Sequence, residues 1–444
     1  MTVSRTICLG FLAVITVGTI LLMMPFSTSS GTWNNLLVAL FTSTSAVCVT
    51  GLSVVDVGTY FSFWGQFILV ALVQIGGLGY MTATTFLLIL LGAKFKLREK
   101  VAIQQALDRT GLHDSATIIR SIIAVTLIFE LTGVFLLLPV FLPKYGLDRA
   151  LWLAIFHSVN AWNNAGFGLF KDNLIGYHSS ILLNLTVTGL IIFGGIGYQV
   201  IFQLYLWGRD RLKQKPGKIL FTLDFKVATS TTLILLAIGT VAFLLIELRN
   251  PATFASLSLK DKLFAAWFQS VSPRTAGFNT IDIGKMTTAG LFLTIAFMFI
   301  GASPGGTGGG LKTTTLRVLT SCTKAILQGK EEVLLYERTI PVNLILKAVG
   351  VVVGSVATVT LATILITLSD PELNFIQILF EVVSAFATVG LSTGITASVS
   401  VFAKVVLIAT MYVGRVGILL LMSALLGDPR PSTIQYPEEN LLVG

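Results

Sequence analysis

A chain of 444 residues in which 54% are hydrophobic and 11% charged, with a mean hydropathy of +0.86, lies outside the soluble class, where about 25% of residues are charged. The composition is that of a polytopic membrane protein. Its net charge of +9 calls for no nucleic-acid partner, because Lys and Arg gather in the cytoplasmic loops of membrane proteins. The cysteines (Cys8, Cys48, Cys322) lie far apart in apolar sequence and match no metal or redox spacing. The histidines are isolated, and no nucleophile–base set or soluble catalytic region is present. The expectation is not an enzyme, with no cofactor bound to the chain itself.

Segments of about 20 apolar residues are what a hydrocarbon core ~30 Å thick requires. Eight occur, at 7–24, 64–92, 117–142, 178–207, 225–248, 287–328 (interrupted), 342–368 and 400–426. The first has one upstream Arg5 and no small-residue cleavage pattern, so it reads as a retained span. Between the first and second lies a shorter, semi-polar stretch, Trp33 to Asp56, and the same arrangement recurs three more times. The expected fold is all-α and polytopic, with four tandem helix–pore loop–helix repeats: eight transmembrane helices and four re-entrant pore helices. The divisions read as 1–92 (first repeat), 93–207 (basic linker and second), 208–328 (basic linker and third), 329–426 (linker and fourth) and 427–444 (tail).

The four short stretches read ALFTSTSAVCVTGLS, AIFHSVNAWNNAGFG, AAWFQSVSPRTAGFN and ILFEVVSAFATVGLS. Each ends in Gly followed by Leu or Phe, and the glycines (Gly51, Gly166, Gly277, Gly390) recur every 111 to 115 residues. An aromatic stands ten residues before each: Phe41, Phe156, Trp267, Phe380. Internal repetition of this kind sets the fold. Charge orients it: the linkers between repeats and both termini carry fifteen cations against seven on the opposite side. The linkers and termini are therefore expected in the cytoplasm, and the short stretches enter and leave from outside.

Four such loops can supply a cation with several backbone carbonyls at once, in place of its hydration shell. Gly permits the positive φ that aiming carbonyls inward demands, and a preceding short helix would point its negative end at the ion. The candidate filter residues are Val49, Thr50 and Gly51; Asn164, Ala165 and Gly166; Thr275, Ala276 and Gly277; and Thr388, Val389 and Gly390. Asp56, just beyond the first, is placed to attract cations to the mouth. A second anomaly is MFIGASPGGTGGGLKTTTL (Met298 to Leu316), which breaks an apolar run. Irregular backbone at membrane depth is tolerated only when buried in protein or lining a cavity, so this is an intramembrane loop beside the pore. It is not a phosphate-binding loop: a Leu precedes Lys312 and no strand precedes the glycines.

VTGL, NAGF, TAGFN and TVGL in four helix–pore–helix units resemble the superfamily of potassium transporters that includes the bacterial Ktr and Trk membrane subunits and the plant HKT proteins. The likeness covers essentially the whole chain and is nearest to the Ktr branch. It implies one pseudo-fourfold pore per chain, a homodimer in the plasma (inner) membrane, and a cytosolic ring of nucleotide-binding regulatory subunits, the nucleotide sitting on that partner. It also implies K⁺ as the transported ion, with Gly at all four filter positions favouring K⁺, and Na⁺ as a possible activator. A sodium or unselective monovalent cation pathway is the alternative. The Gly-rich break matches the family's gating loop, over 301–310, with Gly301, Ser303, Gly305, Gly306, Thr307, Gly308, Gly309, Gly310 and Lys312 as gating residues.

The second helices of the other repeats keep short glycine motifs: QIGGLGY, FGGIGYQ and YVGRVGI. These read as packing glycines. Arg415 occupies a glycine position in the fourth. It has two readings, an interhelical ion pair with Glu130 or a cationic barrier below the filter, which resemblance favours. Arg274 reads as half of an ion pair bracing the third pore loop.

Overall fold

The structure, a computed structural model, describes residues 3–79, 115–213 and 221–427. Several of the expected linker cations, including Lys94, Arg98, Arg109, Lys218 and Arg430, and the end of the 64–92 span lie outside the described residues.

Each repeat opens with a long apolar helix: α1 (Val3–Met23), α4 (Ser115–Phe141), α8 (Leu223–Glu247) and α12 (Val342–Ser369). These four are long and apolar enough to cross a membrane. Their outward side chains are large and apolar, as with Phe135, Leu245 and Leu368, which is what a lipid solvent selects. A pore helix follows in each repeat: α2 (Leu36–Val47), α5 (Leu147–Trp162), α9 (Leu259–Val271) and α13 (Phe375–Phe386). At 12 to 16 residues they are too short to span. They form the centre of the molecule, anchored by Phe41, Phe156, Phe268 and Phe380, all fully buried. In the third repeat Trp267, the aromatic aligned by sequence, instead turns its indole N–H to the Thr188 hydroxyl, 3.1 Å away.

The second helices are α3 (Phe63–Leu78), α6 (Ile181–Ile196), α10 (Thr288–Phe299) and α14 (Val401–Val416). All four begin alike, with a Ser or Thr hydroxyl accepting from the backbone N–H three residues on: Ser62 from Gly65, Ser180 from Leu183, Thr287 from Gly290, Ser400 from Ala403. Such a cap is worth roughly 1 kcal/mol. In the third and fourth repeats a carboxylate at the end of the first helix grips that cap. Glu247 accepts from the N–H and hydroxyl of Thr287, and Asp370 from those of Ser400.

The sequence reading is corrected at two spans. The 178–207 segment is not straight: α6 stops at Gly197 and α7 (Tyr198–Leu212) leaves at 103°. The 400–426 segment likewise breaks at Gly417, where α15 (Ile418–Leu426) turns by 95°. Gly79, Gly197 and Gly417 have φ of 77°, 95° and 85°, a conformation that stops a right-handed helix. At 1.5 Å per residue, sixteen-residue α6 and α14 are about 24 Å long, short of the ~30 Å hydrocarbon core. The third repeat is therefore not alone in being broken. It differs in having a loop of thirteen residues, 300–312, where the second and fourth bend at one glycine, before the chain resumes in α11 (Thr313–Leu327). A two-stranded hairpin, β1 (Leu334–Leu335) with β2 (Arg338–Thr339), interrupts the otherwise helical chain.

The first glycine of each short motif lets a second helix close on a pore helix. A Cβ on Gly76 would strike the Val47 carbonyl, one on Gly194 the Trp162 carbonyl, and one on Gly414 the Phe386 carbonyl. The packing reading holds for these. Gly414→Ala should therefore lower the stability of the detergent-purified protein by about 1–3 kcal/mol, seen as a fall in unfolding temperature. Gly189→Ala, where a Cβ meets open space, should leave it unchanged or slightly raised.

Candidate ion pathway

The four candidate filter segments meet in one closed ring. A Cβ on Gly51 would strike the Ala165 carbonyl; on Gly166, the Ala276 carbonyl at 2.8 Å; on Gly277, the Val389 carbonyl; on Gly390, the Thr50 carbonyl. Each glycine thus abuts the backbone of the next repeat, and the fourth returns to the first. There is no room for a side chain at any of them.

Backbone shape explains how the ring presents oxygen. The glycines have φ of 91°, 70°, 73° and 91°. Two residues earlier, Val49, Asn164, Thr275 and Thr388 are left-handed as well, at 57°, 58°, 70° and 52°. Non-glycine residues in that region cost roughly 1–3 kcal/mol each, so the surroundings must hold them. They do so through amides turned back onto the pore helices. The N–H of Thr50 reaches Ser45 O at 2.7 Å, Ala165 reaches Asn160 O at 2.8 Å, Ala276 reaches Ser272 O at 2.9 Å and Val389 reaches Ser384 O at 2.8 Å. The hydroxyls of Ser45 and Ser384 accept from Gly51 and Gly390. With the amides occupied on the outside, the carbonyls are left to the axis. Among the described residues only the Asn173 side chain, 3.4 Å from the Gly166 carbonyl, donates to one of them. A buried carbonyl without a donor is costly, so a ring of such carbonyls has the chemistry to take a cation in place of a donor.

Sequence reasoning missed two side chains that brace the segments after the filter. Glu381, buried in α13, accepts from the Ser392 hydroxyl, the Thr393 N–H and the Thr396 hydroxyl. His157 holds the same position of α5; its ring stacks on Phe170 at 5.0 Å and its Nδ1 lies 2.7 Å from Leu153 O. Both stand nine residues before their filter glycine, a register visible once the repeats are aligned. Asp56 is not a free carboxylate at the mouth: it caps the one-turn helix Val57–Tyr60, accepting from the Gly58 N–H and the Thr59 hydroxyl. Arg274 makes no ion pair among the described residues. Buried beside the third segment, it donates from Nη2 to the Thr232 hydroxyl at 3.2 Å.

The Gly-rich loop folds against the inner end of this ring. Gly309 donates its N–H to the Thr388 hydroxyl at 3.1 Å, and a Cβ on Gly308 would strike the Thr275 hydroxyl. A Cβ on Gly301 would strike the Gly309 carbonyl, and the Gly310 backbone lies beside Ala387 and Gly301, so the two legs of the loop are pressed together. The broken end of α6 and the loop complete each other. The Gly195 and Gly194 carbonyls accept from the N–H groups of Ser303 (2.9 Å) and Thr307 (3.1 Å), and Tyr198 returns its N–H to Gly305 O at 3.2 Å. Gly306 lies against the Gly195 carbonyl. Ser303 and Thr313 share a hydroxyl contact of 2.8 Å, the Thr307 hydroxyl reaches Trp162 O, and Lys312 Nζ folds back to Gly308 O at 2.8 Å.

Arg415 closes the assembly. Its Nη1 donates to the Thr307 carbonyl and its Nη2 to the Gly76 carbonyl. The expected Glu130 ion pair is not formed. Glu130 accepts instead from Asn163 Nδ2 at 3.2 Å, and a guanidinium capping two exposed carbonyls needs no carboxylate. Lysine cannot make this two-pronged contact. Arg415→Lys should therefore raise amide hydrogen exchange across 301–312 by about tenfold or more, since hydrogen bonds to charged groups contribute about 1.5–3 kcal/mol each. Unchanged exchange would contradict the latch.

Comparison with known proteins bears on the family and the fold. The family model for the TrkH cation transport proteins matches residues 4–427. The Ktr system potassium uptake protein B of Bacillus subtilis is 37% identical over 444 residues, covering 100% of this chain and 97% of that one. The protein of the same name from Vibrio alginolyticus is 38% identical over 440 residues, covering 99% and 94%, and the potassium/sodium uptake protein NtpJ of Enterococcus hirae is 36% identical over 445, covering 99% and 97%. The crystal structure of the potassium transporter TrkH from Vibrio parahaemolyticus shares the fold, with a TM-score of 0.72 at 20% identity over 95% of this chain and 85% of that one. With its four repeats, its closed ring and a match across nearly its whole length, the chain belongs to the TrkH family of cation transport proteins.

Proposed function

We propose that this chain carries K⁺ into the cell through the ring formed by Val49–Gly51, Asn164–Gly166, Thr275–Gly277 and Thr388–Gly390. The observation that supports it most is the closed ring itself: four glycines each against the next repeat's carbonyl, with the amides spent on the pore helices. Relatives at 36–38% identity are named for potassium uptake. The membrane potential would drive the ion, at about 2.3 kcal/mol per charge per 100 mV. The loop 301–310 with Arg415 is the gate. It lies against the inner end of the ring and must leave its hydrogen bonds to α6 and Thr388 before an ion passes. On the charge argument both termini are cytoplasmic. As the family resemblance implies, two chains pair, and a nucleotide-binding ring acts from the cytosol.

A second reading keeps the pathway but admits Na⁺ as co-ion or activator. The relative named for potassium/sodium uptake favours considering it. Flux from liposomes holding the purified protein separates the two: ⁸⁶Rb⁺ uptake should be competed by K⁺ far better than by Na⁺. Failure of the well-folded protein, with its regulatory partner, to move K⁺ or Rb⁺ would overturn the proposal. In Gly51→Ser the new Cβ would push the Ala165 carbonyl aside, so in the folded protein that is recovered K⁺ preference over Na⁺ should fall by about tenfold; tenfold corresponds to 1.4 kcal/mol, well within the cost of one misplaced ligand. Shortening the 303–310 loop should raise flux in the absence of the partner, and a basal flux equal to wild type would remove the loop from the gate.

A further inference from the structure

Beyond the loop, on the side away from the filter, lies a chamber of about 440 Å³. That volume is at the lower end of small-molecule sites, about 300–1,000 Å³. Its walls are apolar and come from several helices: Phe11 of α1, Ile122 and Val125 of α4, Ile201 of α7, Val351 of α12 and Ile418 of α15. Its charged lining is Arg415 and Lys312, and among the described residues no carboxylate faces it. This is an odd lining for a compartment that cations would cross, since the Arg415 charge repels them. It matches a different guest. Arg415 has five N–H donors. Its bonds to Thr307 and Gly76 come one from each terminal nitrogen, so further N–H groups remain for an anionic oxygen at the chamber wall.

We infer that this chamber binds a single-chain anionic amphiphile, a fatty-acid carboxylate. Its head would lie on Arg415 and its chain along the wall formed by Phe11, Ile122, Val125 and Ile201. A small inorganic anion would leave that wall wet. An alkyl cation would be repelled. A two-chain phospholipid is poorly matched to a chamber of this size. A bound chain fills the space beyond the loop, so the loop cannot withdraw and flux stops. Binding rests on the chamber alone; the block of flux rests also on the loop being the gate.

The test uses the full-length protein in phosphatidylcholine nanodiscs with a fatty acid bearing a photoreactive diazirine near its end. Cross-links are expected to concentrate on residues 119–126 and 416–420. Laurate should displace them about tenfold better than methyl laurate, because the ester lacks the charge that strengthens hydrogen bonds to Arg. Val125→Phe and Val351→Phe each fill the chamber away from the gate, and each should reduce labelling about tenfold. Laurate should also slow ⁸⁶Rb⁺ flux in liposomes of wild-type protein but not of these variants. Labelling spread over the lipid-facing surface of α8, or equal competition by acid and ester, would overturn the inference. Displacement by phosphatidylglycerol but not laurate would assign the chamber to a phospholipid and overturn the single-chain assignment. Absence of flux before any amphiphile is added would count against the transport reading while leaving the labelling result intact.

Discussion

Everything near the axis depends on one backbone device repeated four times: a left-handed residue, one intervening residue, and a left-handed glycine. It is held by amides turned outward onto the ends of the pore helices, as between Thr50 and Ser45 or Val389 and Ser384. The carbonyl dipoles repel one another at close quarters, and nothing in a flexible loop would keep them there. The pore helices are therefore the most buried part of the molecule, wedged by Phe41, Phe156, Phe268 and Phe380. Glu381 and His157 extend the same support to the segments that leave the ring. On the proposed reading, rigidity here is a condition for binding a dehydrated cation, because donor-free carbonyls that could relax would find other partners.

Inside the membrane a broken helix exposes backbone groups that water cannot reach, and each would cost several kcal/mol if left alone. The breaks in this protein are solved in pairs. Carbonyls freed at the end of α6 accept from Ser303 and Thr307, and the amide freed at the start of α7 goes to Gly305. The loop of the third repeat and the bend of the second are thus one structural unit built from two parts of the chain. Because the loop's main attachments satisfy those orphan groups, it can move only if water or another partner takes its place. On the proposed reading, motion of the loop is coupled to hydration of the pathway beneath the ring.

Much of this was legible in the sequence. Matched glycines, aromatics and near-equal spacing identified four repeats and the segments that form the ring, and the Gly-rich break stood out against its apolar surroundings. The bends at Gly197 and Gly417 were not legible: a single residue at positive φ leaves hydropathy unchanged on both sides, so the segments read as unbroken spans. The left-handed Val49, Asn164, Thr275 and Thr388 were hidden for a related reason. Local preference reserves that conformation for glycine, and only tertiary hydrogen bonds override it. Charged partners were misread in the same way. One of the two readings of Arg415, and the reading of Arg274, was an ion pair because sequence shows side chains, whereas their partners are a pair of backbone carbonyls and a threonine hydroxyl.

That last difference bears on how a cation pathway can be shut. Had Arg415 paired with Glu130, the two charges would have cancelled and the pathway would have met a nearly neutral obstacle. Instead the guanidinium rests on the end of α3 at Gly76 and lies in the last turn of its own helix, α14. A helix C-terminus carries about half a negative charge, screened within a turn. Such ends stabilise Arg415 enough for it to stay buried without contributing a full opposing charge. The field it sends toward the ring is therefore only partly offset; a unit charge 4 Å away contributes about 4 kcal/mol at an effective dielectric constant of 20. On the proposed reading, the loop supplies the steric half of closure and Arg415 the electrostatic half. Because the same guanidinium also holds the loop at Thr307, the two halves release together.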